Sequence, residues 1–372
     1  MATRLGPAGR WGLWVIPLIL AAMALAAPGR GVAQPGGAAA LPGWGADDPA
    51  AAWPALLLSC RQTLAALTGW AEGCAAAERM ATDAPAADRR RLLEAWLTPD
   101  DHGPGLLTGY YEPLLRGALA PGGAFRTPLR AAPPDLAPDT LLPPRVAIEA
   151  GALDAMAPPL LWVDDPIDAF FLQIQGSGRV TLPDGRVLRL GYAGRNGQPY
   201  LPIGRLLIER GAIAREAMSM QAIRAWLAAA PAAEARALLH ANPAYVFFRV
   251  LDGLAPEQGP IGTLGVPLTP GRSIAVDPVH VPLGAPVWIV TRDPVDGSPI
   301  RRLVLAQDTG GAIRGRGRGD LFWGWGSAAE QRAGLMQDRE ARMFVLRPRA
   351  MPPAPPGPAT AAGSAAAARP LD

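Results

Sequence analysis

Residues 305–326 read LAQDTGGAIRGRGRGDLFWGWG. A short apolar run, Leu303-Val304-Leu305-Ala306, ends at an acid, Asp308. Glycines and arginines follow. A second acid, Asp320, stands twelve residues after the first, with Leu321, Phe322, Trp323 and Trp325 behind it. That spacing lets the chain leave a strand, turn and return. Two carboxylates would then face one cleft beside aromatic rings, which is the equipment for breaking an acid-labile bond in a sugar chain.

Outward from this stretch, residues 246–250, 273–276, 286–290 and 301–306 are short, β-branched and bounded by Pro or Gly, which predicts strands. Pro282-Leu283-Gly284 and Val295-Asp296-Gly297 predict turns between them. Short strands at this spacing suggest a barrel. Upstream, residues 106–113 read as a strand ending in a turn. Residues 170–175 alternate like a strand that stops at Gly176-Ser177-Gly178. Pro183-Asp184-Gly185 predicts a hairpin turn before a strand at residues 187–190. Residues 203–210 and 219–239 read as helical, with Pro231 opening a second helix. The Pro/Gly/Ala-rich residues 117–142 read as loop. Residues 50–98 read as helical, from Leu56, Leu57, Leu64 and Leu67 at helical spacing and an amphipathic stretch from Arg89 to Trp96.

The 372 residues suffice for two domains, and an apolar share of 49% allows a substantial core. With 42 prolines and 43 glycines, many short strands and turns are favoured over a helical bundle. A net charge of +3 without a clustered basic stripe speaks against a nucleic-acid partner. Arg314, Arg316 and Arg318 form a close set, and they lie between the two acids. Arg4 and Arg10 precede an apolar run over residues 11–27, with Gly31-Val32-Ala33 behind it. This reads as an export signal over residues 1–33, cleaved after Ala33 or after Ala27. The alternative is a retained anchor, for which the run is short. Export leads to the periplasm, with membrane association left open. No cysteine lies near the cleavage site, so a lipid anchor there is not expected. Residues 34–48 read as a linker and 351–372 as a disordered tail. The only cysteines are Cys60 and Cys74. The compartment favours a disulfide, whose loop closure would contribute roughly 3 kcal/mol. Two buried free thiols remain the other reading. His102, His240 and His280 lie far apart in sequence and form no ligand motif, so neither a metal nor another cofactor is expected.

Several segments together carry a resemblance. They are Gly109-Tyr110-Tyr111-Glu112-Pro113, residues 171–178 (FLQIQGSG), 191–197 (GYAGRNG), 218–223 (MSMQAI), 242–248 (NPAYVFF), Ala275-Val276-Asp277, and the stretch from Asp308 to Asp320. Over residues 106–345 the chain resembles the MltA family of lytic murein transglycosylases, and its C-terminal part resembles the 3D domain. The resemblance implies a mainly β fold. A double-psi β-barrel with N-terminal helices would take residues 49–113 and 251–350. A smaller β-rich domain would be inserted at residues 114–250, with a substrate groove between the two. The family's three aspartates map onto Asp277, Asp308 and Asp320. Asp320 takes the place of the essential acid, and Asp308 that of its neighbour in the cleft. The implied activity is that of a peptidoglycan lytic exotransglycosylase. It would cleave the β-1,4 bond between N-acetylmuramic acid and N-acetylglucosamine and leave 1,6-anhydromuramoyl ends. The implied partners are peptidoglycan glycan strands and other cell-wall enzymes, and the expected working unit is a monomer. The Arg314–Gly319 run is more arginine-rich than the family pattern, and the lipid-accepting cysteine of some members is absent.

Protonating a glycosidic oxygen near neutral pH requires a carboxyl whose pKa is raised by burial or by a second negative charge. The aromatic neighbours of Asp320 could supply the burial and Asp308 the charge. In the family one acid protonates the bond. It then takes the proton of the muramoyl C6 hydroxyl, which closes on C1 of its own ring with the advantage of intramolecular attack. Thr108, Tyr110, Tyr111, Gln175, Asn196 and Arg249 are the groove candidates. Tyrosine offers a stacking face and a hydroxyl, Gln and Asn a donor and an acceptor, and Arg249 a fork for carboxylates or carbonyls. Each also has an ordinary structural reading as core packing or turn cap. Asp277, before a proline, suits a turn better than catalysis; Asp308 could accept within an Asx turn, and Asp320 could be a helix N-cap. Two rival functions remain. Asp308-Thr309-Gly310 has the local form of an aspartic protease, but no second copy occurs. A sugar-binding or wall-loosening module on the same barrel would keep the groove without using the acid.

Overall fold

The computed structural model describes residues 37–137 and 140–349. The expected signal over residues 1–33, the first residues of the expected linker and the tail over 351–372 lie outside the described residues. Three helices come first: α1 (Trp53–Gln62), α2 (Ala71–Arg79) and α3 (Ala86–Trp96). Leu56, Ala77, Leu93 and Trp96 bury their apolar faces in one core with the barrel strands. Cys60 and Cys74 are bonded to each other, joining α1 to α2 with their Cα atoms 5.5 Å apart.

The chain then runs through β1 (Leu97–Glu112), β2 (Leu114–Ala118), β3 (Thr127–Arg130), α4 (Arg145–Glu149) and β4 (Pro159–Val163). Next come α5 (Pro166–Gln175), β5 (Gly178–Thr181), β6 (Val187–Arg195), α6 (Ile203–Glu209), α7 (Met220–Ala229), α8 (Ala232–Ala241) and β7 (Val246–Val250). The last third holds β8 (Ser273–Val276), β9 (Pro286–Arg292), β10 (Pro299–Asp308), β11 (Gly319–Trp325), α9 (Ser327–Leu335) and β12 (Gln337–Pro348).

Six strands close into a barrel in the order β1-β11-β8-β10-β9-β12. The β1–β11 and β8–β10 pairs are parallel, and the other pairs are antiparallel. Closure leaves no strand edge unpaired. Leu107, Ile274, Val276, Leu305, Leu321 and Val345 share the barrel's core. Their strand neighbours Ala275 and Phe322 point the other way, into a separate apolar cluster with Tyr110, as the two-residue period of a strand requires. This is the double-psi barrel that the resemblance implies. A second six-stranded sheet, ordered β3-β4-β2-β5-β6-β7, takes all its strands from the segment between β1 and β8. Leu115, Leu161, Val180 and Phe248 form its apolar face.

Three local expectations are corrected. Residues 170–175 belong to helix α5 rather than to a strand. Asp165 caps it by accepting from the Ile167 N–H at 2.7 Å, Pro166 opens it, and Gly176 ends it at φ 80°. The helix is apolar on two sides: Ala169 and Leu172 pack on the sheet, Phe170 and Phe171 on the α6–α8 helices. That doubling hid its period. Residues 37–48 are not a free linker. Trp44 packs at a tilt against Trp288 with ring centroids 4.9 Å apart, and Asp47 pairs with Arg272 at 2.8 Å. A few anchoring side chains outweigh a Gly/Ala/Pro composition. The expected loop over residues 117–142 contains β3, paired with β4 despite its proline.

Candidate active site

The strand order sets the site. β8 lies between β11 and β10, and Ala275 is the register partner of both Asp320 and Asp308. Thr108 of β1 pairs with Asp320 from the other side. Thr108, Asp320, Ala275 and Asp308 therefore form one row across four strands. Two strand spacings put the acids' Cα atoms about 10 Å apart, and the alanine between them leaves the space open. A register irregularity in β10 makes this possible. Ala306 pairs with Ile274 and Asp308 with Ala275, so Gln307 is an extra residue. Gln307 is fully buried and reaches the Ala55 carbonyl at 2.9 Å and the Ser59 hydroxyl at 3.0 Å. Without the bulge, Gln307 would face the cleft and Asp308 the core.

Asp320, Ala275 and Asp308 of this row form the floor of a cleft of about 620 Å³, which Gln175, Ser177, Tyr192 and Arg249 wall from the second sheet's side. Thr263 and Arg314 line it from the barrel side. The two acids are held unequally. Asp308 accepts from the Thr263 N–H, the Thr263 hydroxyl and the Tyr110 hydroxyl, each at 2.9 Å. Asp320 accepts from the Thr108 hydroxyl at 2.7 Å. Asp320 is partly open to the cleft, yet protein surrounds its carboxyl, and burial pushes its pKa up to about 6. The Thr108 hydrogen bond and the Arg318 charge oppose this rise, and the Asp308 charge adds to it. Burial also raises the Asp308 carboxyl, against the pull of its several donors. More donors favour the anion, so Asp308 is the one to ionise first while Asp320 keeps its proton. Burial and the neighbouring Asp308 charge hold the Tyr110 phenol well above its usual range, so it remains a donor.

Asp277 does not line the cleft. Its carboxylate accepts from the Gly315 N–H at 2.7 Å and the Val279 N–H at 3.2 Å. The Gly315 bond above all holds its pKa below the usual carboxylate range. It thus anchors the glycine–arginine loop that leads into Asp320. The same loop packs against β1 where a Cβ on Gly105 would lie 1.9 Å from the Gly317 carbonyl oxygen, a gap that admits no side chain.

Of the other expected groove residues, Tyr110, Gln175 and Arg249 line the cleft. Gln175 is fixed by accepting from the Tyr111 N–H at 3.1 Å. Thr108 acts on Asp320 from the neighbouring strand. Tyr111 and Asn196 are corrected. Strand alternation turns Tyr111 away from Tyr110, to pack against Ala329 and Ala333 and donate to Glu330 at 3.1 Å. Asn196 is fully buried, donates to the Pro143 and Pro243 carbonyls at 2.9 Å and accepts from the Tyr245 N–H at 2.8 Å. Its hydrogen-bonding capacity goes to loop backbone. Thr263, Ser177 and Tyr192 were missed. Ser177 was read only as part of a turn, and Thr263 carries no local signal beyond its glycine neighbours. Among the described residues, no group of three or more His, Cys, Asp or Glu side chains is placed to hold a metal ion.

Comparison with known proteins follows this geometry. Residues 106–249 match the MltA specific insert domain and residues 272–347 the 3D domain. The chain is 36% identical over 263 residues to membrane-bound lytic murein transglycosylase A of Escherichia coli K12, covering 68% of this chain and 69% of that protein. It is 36% identical over 241 residues to the Vibrio cholerae protein of the same name, covering 63% of each, a little under two thirds of that relative's length. The crystal structure of E. coli MltA with bound chitohexaose superposes with a TM-score of 0.66 at 30% identity, over 81% of this chain and 90% of that one. Fold and site define a double-psi barrel protein with an unequal acid pair on the floor of a cleft. The chain belongs to the MltA family.

Proposed function

We propose that this protein is a periplasmic peptidoglycan lytic transglycosylase that cleaves the β-1,4 bond between N-acetylmuramic acid and N-acetylglucosamine. The observation that carries this reading is the inequality of the two acids in one row. Asp320 is held near pKa 6 by burial, with one hydroxyl donor, and is fit to give a proton and take one back. It protonates the bridging oxygen as the C1–O bond breaks. The muramoyl C6 hydroxyl then forms the new bond to C1 and passes its proton to the Asp320 carboxylate. The acid is regenerated and no water is consumed. Asp308, with its three donors, supplies negative charge beside the sugar carbon that becomes electron-poor. The names of the relatives and the chito-oligosaccharide in the E. coli structure support a glycan-strand substrate. The domains are read as a barrel over residues 49–113 and 251–350 with an insert over 114–250.

The test is a digest of purified sacculi in 18O-labelled water. The expected soluble products are anhydro-muropeptides, lighter by one water than hydrolysed ones and free of label. Labelled reducing ends would identify a hydrolase, and binding without any soluble product a non-catalytic wall module.

A further inference from the structure

Two guanidinium groups line the cleft, one from each side. Arg249 is on β7, paired with Gly191 of the second sheet, and Arg314 is on the barrel's glycine–arginine loop. Both are exposed, and neither meets a carboxylate within salt-bridge distance among the described residues. Arg314 donates to the neighbouring Ile313 carbonyl at 3.2 Å. Most other arginines near this cleft are engaged: Arg179 and Arg189 on Glu112, and Arg318 on the Leu106 and Gly319 carbonyls. With Asp308 ionised and Asp320 protonated, the two arginines leave the cleft lining a net positive charge. N-acetylated sugars are neutral, and gripping their hydroxyl and amide groups requires no fixed cation. Two unpaired guanidiniums complement a carboxylate, which they can hold by forked charge-assisted bonds.

This inference rests on the peptidoglycan reading above. In such a strand the carboxylate hangs from the lactyl arm of the muramoyl sugar, either as the free lactyl group or on the peptide attached to it. We propose that Arg249 and Arg314 form an anion subsite that reads this carboxylate, so that the cleft selects charged muramoyl strands over neutral ones.

The experiment compares the full chain with R249Q, R314Q and the double variant on four substrates: peptide-bearing strands, enzymatically denuded strands with free lactyl groups, and each of these after carboxyl amidation. Wild type is expected to show a KM about tenfold lower on charged than on amidated strands, a preference that shrinks with added salt. The double variant should lose the preference, and R249K with R314K should restore most of it. Preference for peptide-bearing strands alone assigns the peptide carboxylate; preference retained on denuded strands assigns the lactyl group. Both support the subsite. Equal KM on charged and amidated strands for wild type, with anhydro products from both, overturns the subsite and leaves the transglycosylase reading standing. Absence of anhydro product from every strand overturns that reading instead. Both side chains are exposed, so unchanged melting temperatures of the variants are the check on folding.

Discussion

Glu112 and Asp320 sit on the same parallel ladder of β1 against β11, where Glu112 pairs with Trp325 and Thr108 with Asp320. Glu112 is fully buried and bracketed by Arg179 at 2.8 Å and Arg189 at 3.1 Å. Those guanidiniums also reach the Pro256 and Gln258 carbonyls, and Arg179 lies over the Trp325 ring at 3.8 Å. The cluster ties the barrel to the second sheet and to the segment that returns from it. A few residues away, Asp320 has a single hydroxyl donor and a pKa raised by burial. A carboxylate surrounded by guanidiniums is a fastening. One that burial leaves short of partners is suited to hold and give a proton.

The largest effect that separates the two comes from Asp320→Asn. Loss of a general acid should cut the rate of anhydro-muropeptide release by about 10² to 10⁴. The same change should not weaken the fold. Asp320 has a folded pKa of about 6, above the usual carboxylate value of 3.8. Its contribution to stability is therefore full at pH below about 4 and lost as pH rises through about 6, on the order of 3 kcal/mol. The variant should melt higher than wild type at pH 7.5 and alike at pH 4. A melting temperature lowered at both would remove the contrast. Glu112→Gln should do the opposite, costing about 3–5 kcal/mol by leaving two buried cations underpaired. Urea unfolding measures this, and a loss under 1 kcal/mol would demote the cluster to ornament. The smallest effect is Thr108→Val. Wild-type activity should fall about tenfold per pH unit above about pH 6, where Asp320 loses its proton. Removing the hydroxyl that stabilises the carboxylate should move that limb to higher pH by up to about one unit; a limb that stays put would mean another group titrates.

How much of this was readable beforehand varies by residue. The apolar runs of β8, β9 and β10, and the acids Asp308 and Asp320, stand out locally. Helix α5 did not, because it is apolar toward both the sheet and the helices. Adjacent Tyr110 and Tyr111 look alike in sequence but face opposite sides of a strand. Asn196 looks like a sugar ligand, but backbone carbonyls absorb its amide.

Strand, turn and cap preferences are local, so residue order alone determined most elements and the two acids. Only barrel closure set Thr108, Asp320, Ala275 and Asp308 in one row, because the order β1-β11-β8-β10 is not chain order. The bulge at Gln307 and the burial of Asp320 depend on neighbours that arrive from distant segments. A pKa and a side-chain direction are therefore properties of the folded molecule.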